Sequence, residues 1–414
     1  MEKEIERIAD QLELENNRKS AADPLVKASL AVVFKFLQNH RVMCYGGTAI
    51  NNLLPAKDQF YKPETDIPDY DFFSKSPQED AMMVANQLRE IGIKNIEVKP
   101  GIHLGTFKVF ADYEGVADIT HLDNAVFDRL WKDSIVKDDV HYVPPNFLRM
   151  SVYLELSRPQ GDVSRWVKVF TRLQLLNKYY PIGCSISKMK DDKHPLASKK
   201  EIEKVVSIMR KEDVVLLSAT AAEIHLKKRW TLPIGLLASK ETIEKITKGK
   251  KVKVDEGNDI LPPRYSLIDE DGVSRIRFYE TTACHSYHKT KDGIKVASIP
   301  TTLQFFFAYI YSDAEESNIS NFLCIAQRLV ELANEKPKRR FALLTPIDCI
   351  GDQETLIDMR KHKSALFEKL SSDKSSADFL KYFFTYNPNA TKTVRAKARD
   401  ELKKTRKARS ESSY

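Results

Sequence analysis

Tyr45-Gly46-Gly47-Thr48-Ala49-Ile50-Asn51-Asn52, then a loop, then Asp69-Tyr70-Asp71-Phe72-Phe73-Ser74, is the stretch on which the reading of this chain turns. A short β-prone run, Arg41 to Tyr45, leads straight into the glycine pair. Residues without a Cβ let an anion come close to backbone N–H groups at a helix N-terminus, where the helix dipole favours negative charge. Thr48 adds a hydroxyl donor and is placed to cap a short helix that Pro55 ends. Asp69 to Phe73 reads as a buried strand. Residues two apart on a strand share a face, roughly 7 Å apart at Cα, so Asp69 and Asp71 aim two carboxylates at one point. Hard oxygen donors of this kind select Mg²⁺ or Mn²⁺. A third carboxylate is expected to complete the set. Asp118, inside Val116-Ala117-Asp118-Ile119-Thr120, is the candidate, because an unpaired charge in a strand is costly to bury. The chemistry that follows is two-metal phosphoryl transfer from a nucleotide, with Gly46, Gly47 and Thr48 on the triphosphate.

The neighbouring segments support a sheet around this stretch. Asp23-Pro24 opens a helix whose apolar stripe is Val26, Leu30, Val33, Phe34 and Leu37. Ser76-Pro77-Gln78-Glu79 has the form of a capping box, and Gly92 a helix stop. Thr106 to Ala111 and Val116 to Leu122 read as strands joined by a turn at Asp112-Tyr113-Glu114-Gly115. Helix and strand signals alternate, then an antiparallel pair follows: an α+β fold around a small mixed sheet. From Pro144 the chain turns helical, with one helix over 147–156 and a second from Asp162 to Lys178. The second carries Val163, Trp166, Val167, Phe170, Leu173 and Leu176 as its apolar face. Arg165, Lys168 and Arg172 share the polar face, and Lys168 is the candidate phosphate contact there.

The polar run 186–200 is the expected domain boundary. The organisation read from the sequence is a catalytic lobe over 1–190, a second α+β lobe over 191–388, and a basic disordered tail over 389–414. Helices are expected near 200–210, 240–248, 301–312, 318–335 and 354–371, with strands at 214–217, 251–254 and 273–280. No fixed-period repeat is visible.

Composition narrows the class. With 414 residues and 42% hydrophobic content the chain can build two cores. The charged N-terminus has no apolar segment of the secretory kind, and no run approaches the ~20 apolar residues needed to cross a bilayer. The five scattered cysteines suggest reduced thiols. Most of the net charge of +8 sits in Thr391 to Tyr414, which holds nine Lys/Arg against three Asp/Glu. Lys403, Lys404, Arg406 and Lys407 are its candidate RNA contacts, with a localisation signal or a protein contact as alternatives. Cys284-His285-Ser286-Tyr287-His288 invites a zinc reading but lacks a second ligand pair, so core or groove residues are the better reading.

A glycine pair, Asp-x-Asp and a later strand Asp together resemble the nucleotidyltransferase superfamily related to DNA polymerase β. The longer text, Cys44 to Asn51 with Ile67 to Ser74, Val116 to Thr120, and Leu156-Ser157-Arg158-Pro159 through Asp162 to Trp166, resembles the poly(A) polymerase catalytic subunits of large DNA viruses, giant-virus type and related to the poxvirus enzyme. The resemblance covers about residues 26–180. It implies template-independent addition of AMP from ATP to RNA 3′ ends, with Mg²⁺ or Mn²⁺ on Asp69, Asp71 and Asp118. It implies a second lobe that is a degenerate nucleotidyltransferase fold lining an RNA groove. It implies a homodimer as in the giant-virus enzymes, or a separate processivity subunit as in poxviruses, and a place in the host cytoplasm or virion. A uridylyl- or CCA-adding enzyme and a non-catalytic RNA-binding subunit are the competing readings.

Overall fold

The computed structural model describes the chain except residues 63, 69, 186, 188–193, 313–315, 336–345 and 412–414, and the side chains of 316–318, 335 and 404–411. It divides into two compact bodies, Met1–Pro144 with Leu356–Tyr414, and Pro145–Thr355. The division differs from a boundary near 190. The helices that follow Pro144 count with the second body, and the chain returns to the first body at its C-terminal end.

The first body begins with α1 (Glu2–Ala22) and α2 (Pro24–Asn39). Asp23 separates them. Its carboxylate accepts from the Leu25 N–H at 2.7 Å, and Pro24 takes the first helical position. α2 buries Val33, Phe36 and Leu37, so the stripe centres on Phe36 rather than Phe34. The Phe36 ring lies 5.9 Å from Phe72 of the sheet. The elements that follow are β1 (Met43–Cys44), α3 (Gly46–Leu53), β2 (Tyr70–Ser74), α4 (Pro77–Glu90), β3 (Ile96–Pro100), β4 (Thr106–Ala111), β5 (Glu114–His121), α5 (Asn124–Lys132), β6 (Ile135–Lys137) and β7 (Val140–Tyr142). The strands form one mixed sheet in the order β3-β4-β5-β2-β1-β7-β6. β2 runs parallel to β5 and antiparallel to β1, and β1 runs parallel to β7.

The second body holds α6 (Pro145–Leu156), α7 (Trp166–Tyr179), α8 (Lys199–Lys211), β8 (Val215–Leu217), α9 (Ser218–His225), β9 (Ile234–Ala238), α10 (Lys240–Thr247), β10 (Val252–Asp255), β11 (Arg264–Ile268), β12 (Ser274–Glu280), β13 (His285–Lys289), β14 (Lys295–Ala297), α11 (Ile299–Ser312), α12 (Glu316–Glu335) and β15 (Cys349–Ile350). Its sheet runs β10-β11-β12-β9-β8-β14-β13-β15. Without the last strand this is the order of the first sheet, strand for strand. The pairings agree in sense as well: β9 is parallel to β12 and antiparallel to β8, and β8 is parallel to β14. The second body is therefore a topological copy of the first, in a chain that shows no periodic sequence repeat.

Two expectations need correction here. Cys184 pairs with Cys324 and Cys284 with Cys349 in disulfides, both within the second body, and Cys44 alone is a free thiol. Partners 140 and 65 residues apart leave no spacing signature in the sequence. The tail, expected to be disordered, is helical over Lys392–Glu411. After α13 (Leu356–Leu370) and α14 (Ala377–Phe383) comes α15 (Lys392–Glu411), rich in Ala, Lys, Arg and Glu, all strong helix formers. Its Leu402 is 2% exposed, which anchors the helix through one apolar residue.

Candidate active site

β1 is two residues long and buried, and α3 starts immediately after Tyr45. Gly46 is the first residue of α3 and has φ +73°. A Cβ there would lie 2.8 Å from the Asp71 Oδ2. Glycine is thus needed twice over, for the left-handed backbone and for the room that the carboxylate takes. The helix begins three residues earlier than a Thr48 cap would place it. Thr48 is 2% exposed, inside the helix, and Tyr45 is the N-cap residue without a side-chain cap bond. Gly46 and Gly47 are half-buried at the open end of α3.

Asp71 and Asp118 are direct partners on the parallel strands β2 and β5. Parallel partners project to the same face of a sheet, about 4.8 Å apart between strands. The hairpin β4–β5 brings Lys108 opposite Asp118, and the ammonium is paired with the Asp118 Oδ2. On this face the Tyr45 hydroxyl shares a hydrogen bond with Thr120 Oγ1 at 3.0 Å, and Thr120 with Thr106 at 3.0 Å. The Tyr45 ring stacks on Phe73 at 3.9 Å. Burial, and then the negative charge of Asp71, hold the Tyr45 hydroxyl protonated well above its ordinary range. It acts as a neutral donor or acceptor that fixes the floor of the face. Behind α3, Asn51 Oδ1 accepts from the Phe60 and Tyr61 N–H groups, each at 2.9 Å, and ties down the loop that leads towards β2.

This donor set suits a hard divalent cation. Two carboxylates stand in register, and a glycine clears the space before one of them. Among the described residues no group of three potential ligands is assembled, and Asp69, the first aspartate of the Asp-x-Asp motif, lies outside the described residues. Lys108, Tyr45 and Thr120 were not singled out from the sequence. Lys108 is hidden by a register shift at Val109/Phe110. Counting back evenly from the Asp112–Gly115 turn, with Ala111 opposite Val116, sets Lys108 opposite Ile119, on the wrong face.

The remaining candidates lie elsewhere. Lys168 is on the exposed side of α7, in the second body. α7 buries Arg172 (8% exposed) and exposes Val167 (80%), so its buried face differs from the apolar stripe of the sequence. Lys403 is exposed on α15, whereas the side chains of Lys404, Arg406 and Lys407 lie outside the described residues. Cys284 is held in its disulfide. His285 is fully buried, its ring pKa lowered to about 3 by burial and the nearby Arg158 charge, so this segment belongs to the core.

The paired carboxylates beside a helix-opening glycine can be set against known proteins. Residues 31–162 match the family model of the poly(A) polymerase catalytic subunit. The chain is 32% identical over 163 residues to a protein of African swine fever virus assigned as a poly(A) polymerase catalytic subunit, and 30% identical over 160 residues to one of Acanthamoeba polyphaga mimivirus. Each similarity covers 38% of this chain, and 34% and 27% of the two relatives, so the chain matches only about a third of the length of its curated relatives. The solved structure of the Megavirus polyadenylate synthase superposes with a TM-score of 0.78 at 18% identity, over 97% of this chain and 89% of that one. The α+β nucleotidyltransferase-type fold is shared across both bodies. The resemblance to the giant-virus poly(A) polymerases stands.

Proposed function

We propose that this chain is a template-independent poly(A) polymerase, which joins AMP from ATP to RNA 3′ ends and releases pyrophosphate. The observation that carries this reading is the Asp71–Asp118 pair in direct register, set against Gly46 within the matched residues 31–162. Asp71 and Asp118 would hold divalent ions together with Asp69. Bound there, Mg²⁺ or Mn²⁺ would lower the pKa of the attacking hydroxyl and neutralise the leaving pyrophosphate. Gly46 and Gly47 offer backbone N–H groups to the triphosphate at the start of α3. Thr48 supports that turn from inside the helix. Lys108 neutralises Asp118 until a cation competes for it. The RNA 3′ oxygen bonds to the α-phosphorus while the bond to the β-phosphate breaks.

The basic helix α15, with Lys403, Lys404, Arg406 and Lys407, is the proposed RNA contact, and Lys168 a further phosphate contact. A homodimer, or a separate processivity subunit, and a cytoplasmic or virion location in a large DNA virus belong to the same proposal. No helix among the described residues is long and apolar enough to cross a membrane.

Extension of an oligonucleotide primer with Mg²⁺ or Mn²⁺ and each NTP in turn is the test. Elongation with ATP alone is expected. Elongation mainly with UTP or CTP would make it a nucleotidyltransferase of other base choice. RNA binding without elongation would make it a non-catalytic subunit. Asp71→Ala is expected to abolish extension in a folded protein; activity at the wild-type level would overturn the metal assignment.

A further inference from the structure

The second body holds a cavity of about 200 Å³ at the place that corresponds, strand for strand, to the carboxylate face of the first. The registers make the correspondence specific. Tyr45 bonds across to Asp71 in one body, and Leu217 registers with Gly235 in the other. Asp71 pairs with Asp118, and Gly235 with Arg277. Lys108 pairs with Asp118, and Ser266 with Arg277. Two carboxylates and an ammonium have become no side chain, a guanidinium and a hydroxyl.

The exchange is built in sterically. A Cβ on Gly235 would lie 2.7 Å from the Leu217 carbonyl oxygen and 3.2 Å from the Ser218 Cβ. Ser218 sits at φ +60° where Gly46 sits at +73°, so the side chain and the gap have changed places between the two halves. The cavity is walled by Ser218, Gly235, Arg277, Tyr279, Tyr309 and Phe322, and its described lining contains no Asp or Glu. Arg277 donates its Nε–H to Ser266 Oγ at 3.2 Å. The carboxylate that feels its charge, Asp255, is already paired with Arg264 and accepts from Gly257 N–H. The Arg264 guanidinium, held by Asp255, lies 5.4 Å over the Tyr309 ring.

A cavity without carboxylates, with an arginine in the metal-ligand position, is suited to an anion and unsuited to a divalent cation. Its volume exceeds that of a phosphate group, and the neighbouring Tyr309 and Phe322 rings, 5.1 Å apart, give it an aromatic wall. We propose that this cavity binds a nucleotide phosphate without a metal, Arg277 holding the phosphate and Tyr309 and Phe322 flanking the sugar or base. The ligand chemistry is shared by a free mononucleotide and by one residue of an RNA chain. The proposal does not depend on whether the first body transfers adenylate.

Calorimetric titration of the full chain in EDTA tests it, with AMP, inorganic phosphate and a trinucleotide RNA as probes. One equivalent of AMP is expected to bind, more tightly than phosphate. Asp71→Asn should leave this binding unchanged. Arg277→Gln should weaken it by about tenfold or more, the loss expected for one charge-assisted contact. Phe322→Leu, on a helix rather than on the strand, should weaken AMP and spare phosphate. Tighter binding of the trinucleotide, lost in Arg277→Gln, would assign the site to RNA; equal binding to AMP would assign it to the free nucleotide. No EDTA-resistant binding, or binding that neither variant alters, overturns the proposal. So does phosphate binding as tight as AMP binding.

Discussion

Replacing Gly46 by serine perturbs the candidate site through one atom. The backbone there has φ +73°, which costs a residue with a Cβ about 1–2 kcal/mol. The added Cβ would meet the Asp71 Oδ2 at 2.8 Å. That oxygen ends a side chain, so the carboxylate can swing away, and the contact adds only about 0.5–1 kcal/mol, the cost of moving a side chain off its preferred rotamer. The expected result is a melting temperature of the first body several degrees lower, at roughly 2–4 °C per kcal/mol for a body of about 200 residues. Activity should suffer far more. A displacement of about 1 Å at a reacting centre costs about 10²-fold. The second body supplies the control, because Ser218 faces a glycine there. A Gly46→Ser/Asp71→Gly double variant should recover about 0.5–1 kcal/mol relative to the sum of its single variants, through relief of the contact, while remaining inactive. Thermal melts give the stability cycle, and primer extension gives the rates. Extension by Gly46→Ser within about threefold of wild type would refute the idea that Asp71 needs that space. Strict additivity in the melts would refute the exchange of side chain and gap.

The Asp80 carboxyl, pushed up to about 6 by burial although Ser74 donates to it, makes stability fall as pH rises. The folded chain binds this proton before the unfolded one does, so stability is highest below pH 4 as far as this group is concerned and is lost between about 4 and 6–7. Asp80→Asn should therefore stabilise by about 2–3 kcal/mol at pH 8 and by nothing at pH 4, read from denaturant midpoints. Closing loops of 140 and 65 residues, the two disulfides should each contribute about 4–5 kcal/mol by restricting the unfolded chain; a dithiothreitol-treated sample that melts with the untreated one would show that they do not. Denatured but unreduced protein should titrate a single thiol, Cys44. Neutralising Lys403, Lys404, Arg406 and Lys407 together should reduce the salt slope of RNA binding by about 3, at about 0.7 per phosphate on a single strand. An unchanged slope would remove α15 from the RNA contact. Substitution is the better probe than deleting the helix, because deletion would also remove the buried Leu402.

The first sheet was largely legible because its strands are marked locally. Thr106–Ala111 and Glu114–His121 flank an obvious turn, and Asp71 and Asp118 are charges inside apolar runs. The sequence did not show Lys108, since one register irregularity changes which face it occupies. It did not show β9 either: Ile234-Gly235-Leu236-Leu237-Ala238 is buried on both faces and has no alternation to count. The duplication is invisible as text because what the two halves share is strand order, which very different side chains can encode. Arg172 was assigned to the solvent face on charge alone, yet a guanidinium with a long aliphatic stem can be buried where partners exist. Asp69 read clearly as half of a motif, while its position lies outside the described residues.

The return of residues 356–414 to the first body sets an order of assembly. Tyr386 exchanges two backbone hydrogen bonds with Val98 on the edge strand β3, at 2.8 and 3.1 Å. Gln78 donates to the carbonyls of Leu380 and Lys381, each at 3.2 Å, and Lys363 to those of Pro100 and Gly101. At ~5–20 residues per second, synthesis of the intervening body takes on the order of 10–40 s. During that interval β3 stands as an open edge on the ribosome, a template for pairing with the wrong chain. The body bearing the carboxylate pair is thus the first to start folding and the last to finish. A chain cut anywhere before Tyr386 would leave that edge uncovered, however complete its Gly-Gly and Asp-x-Asp motifs.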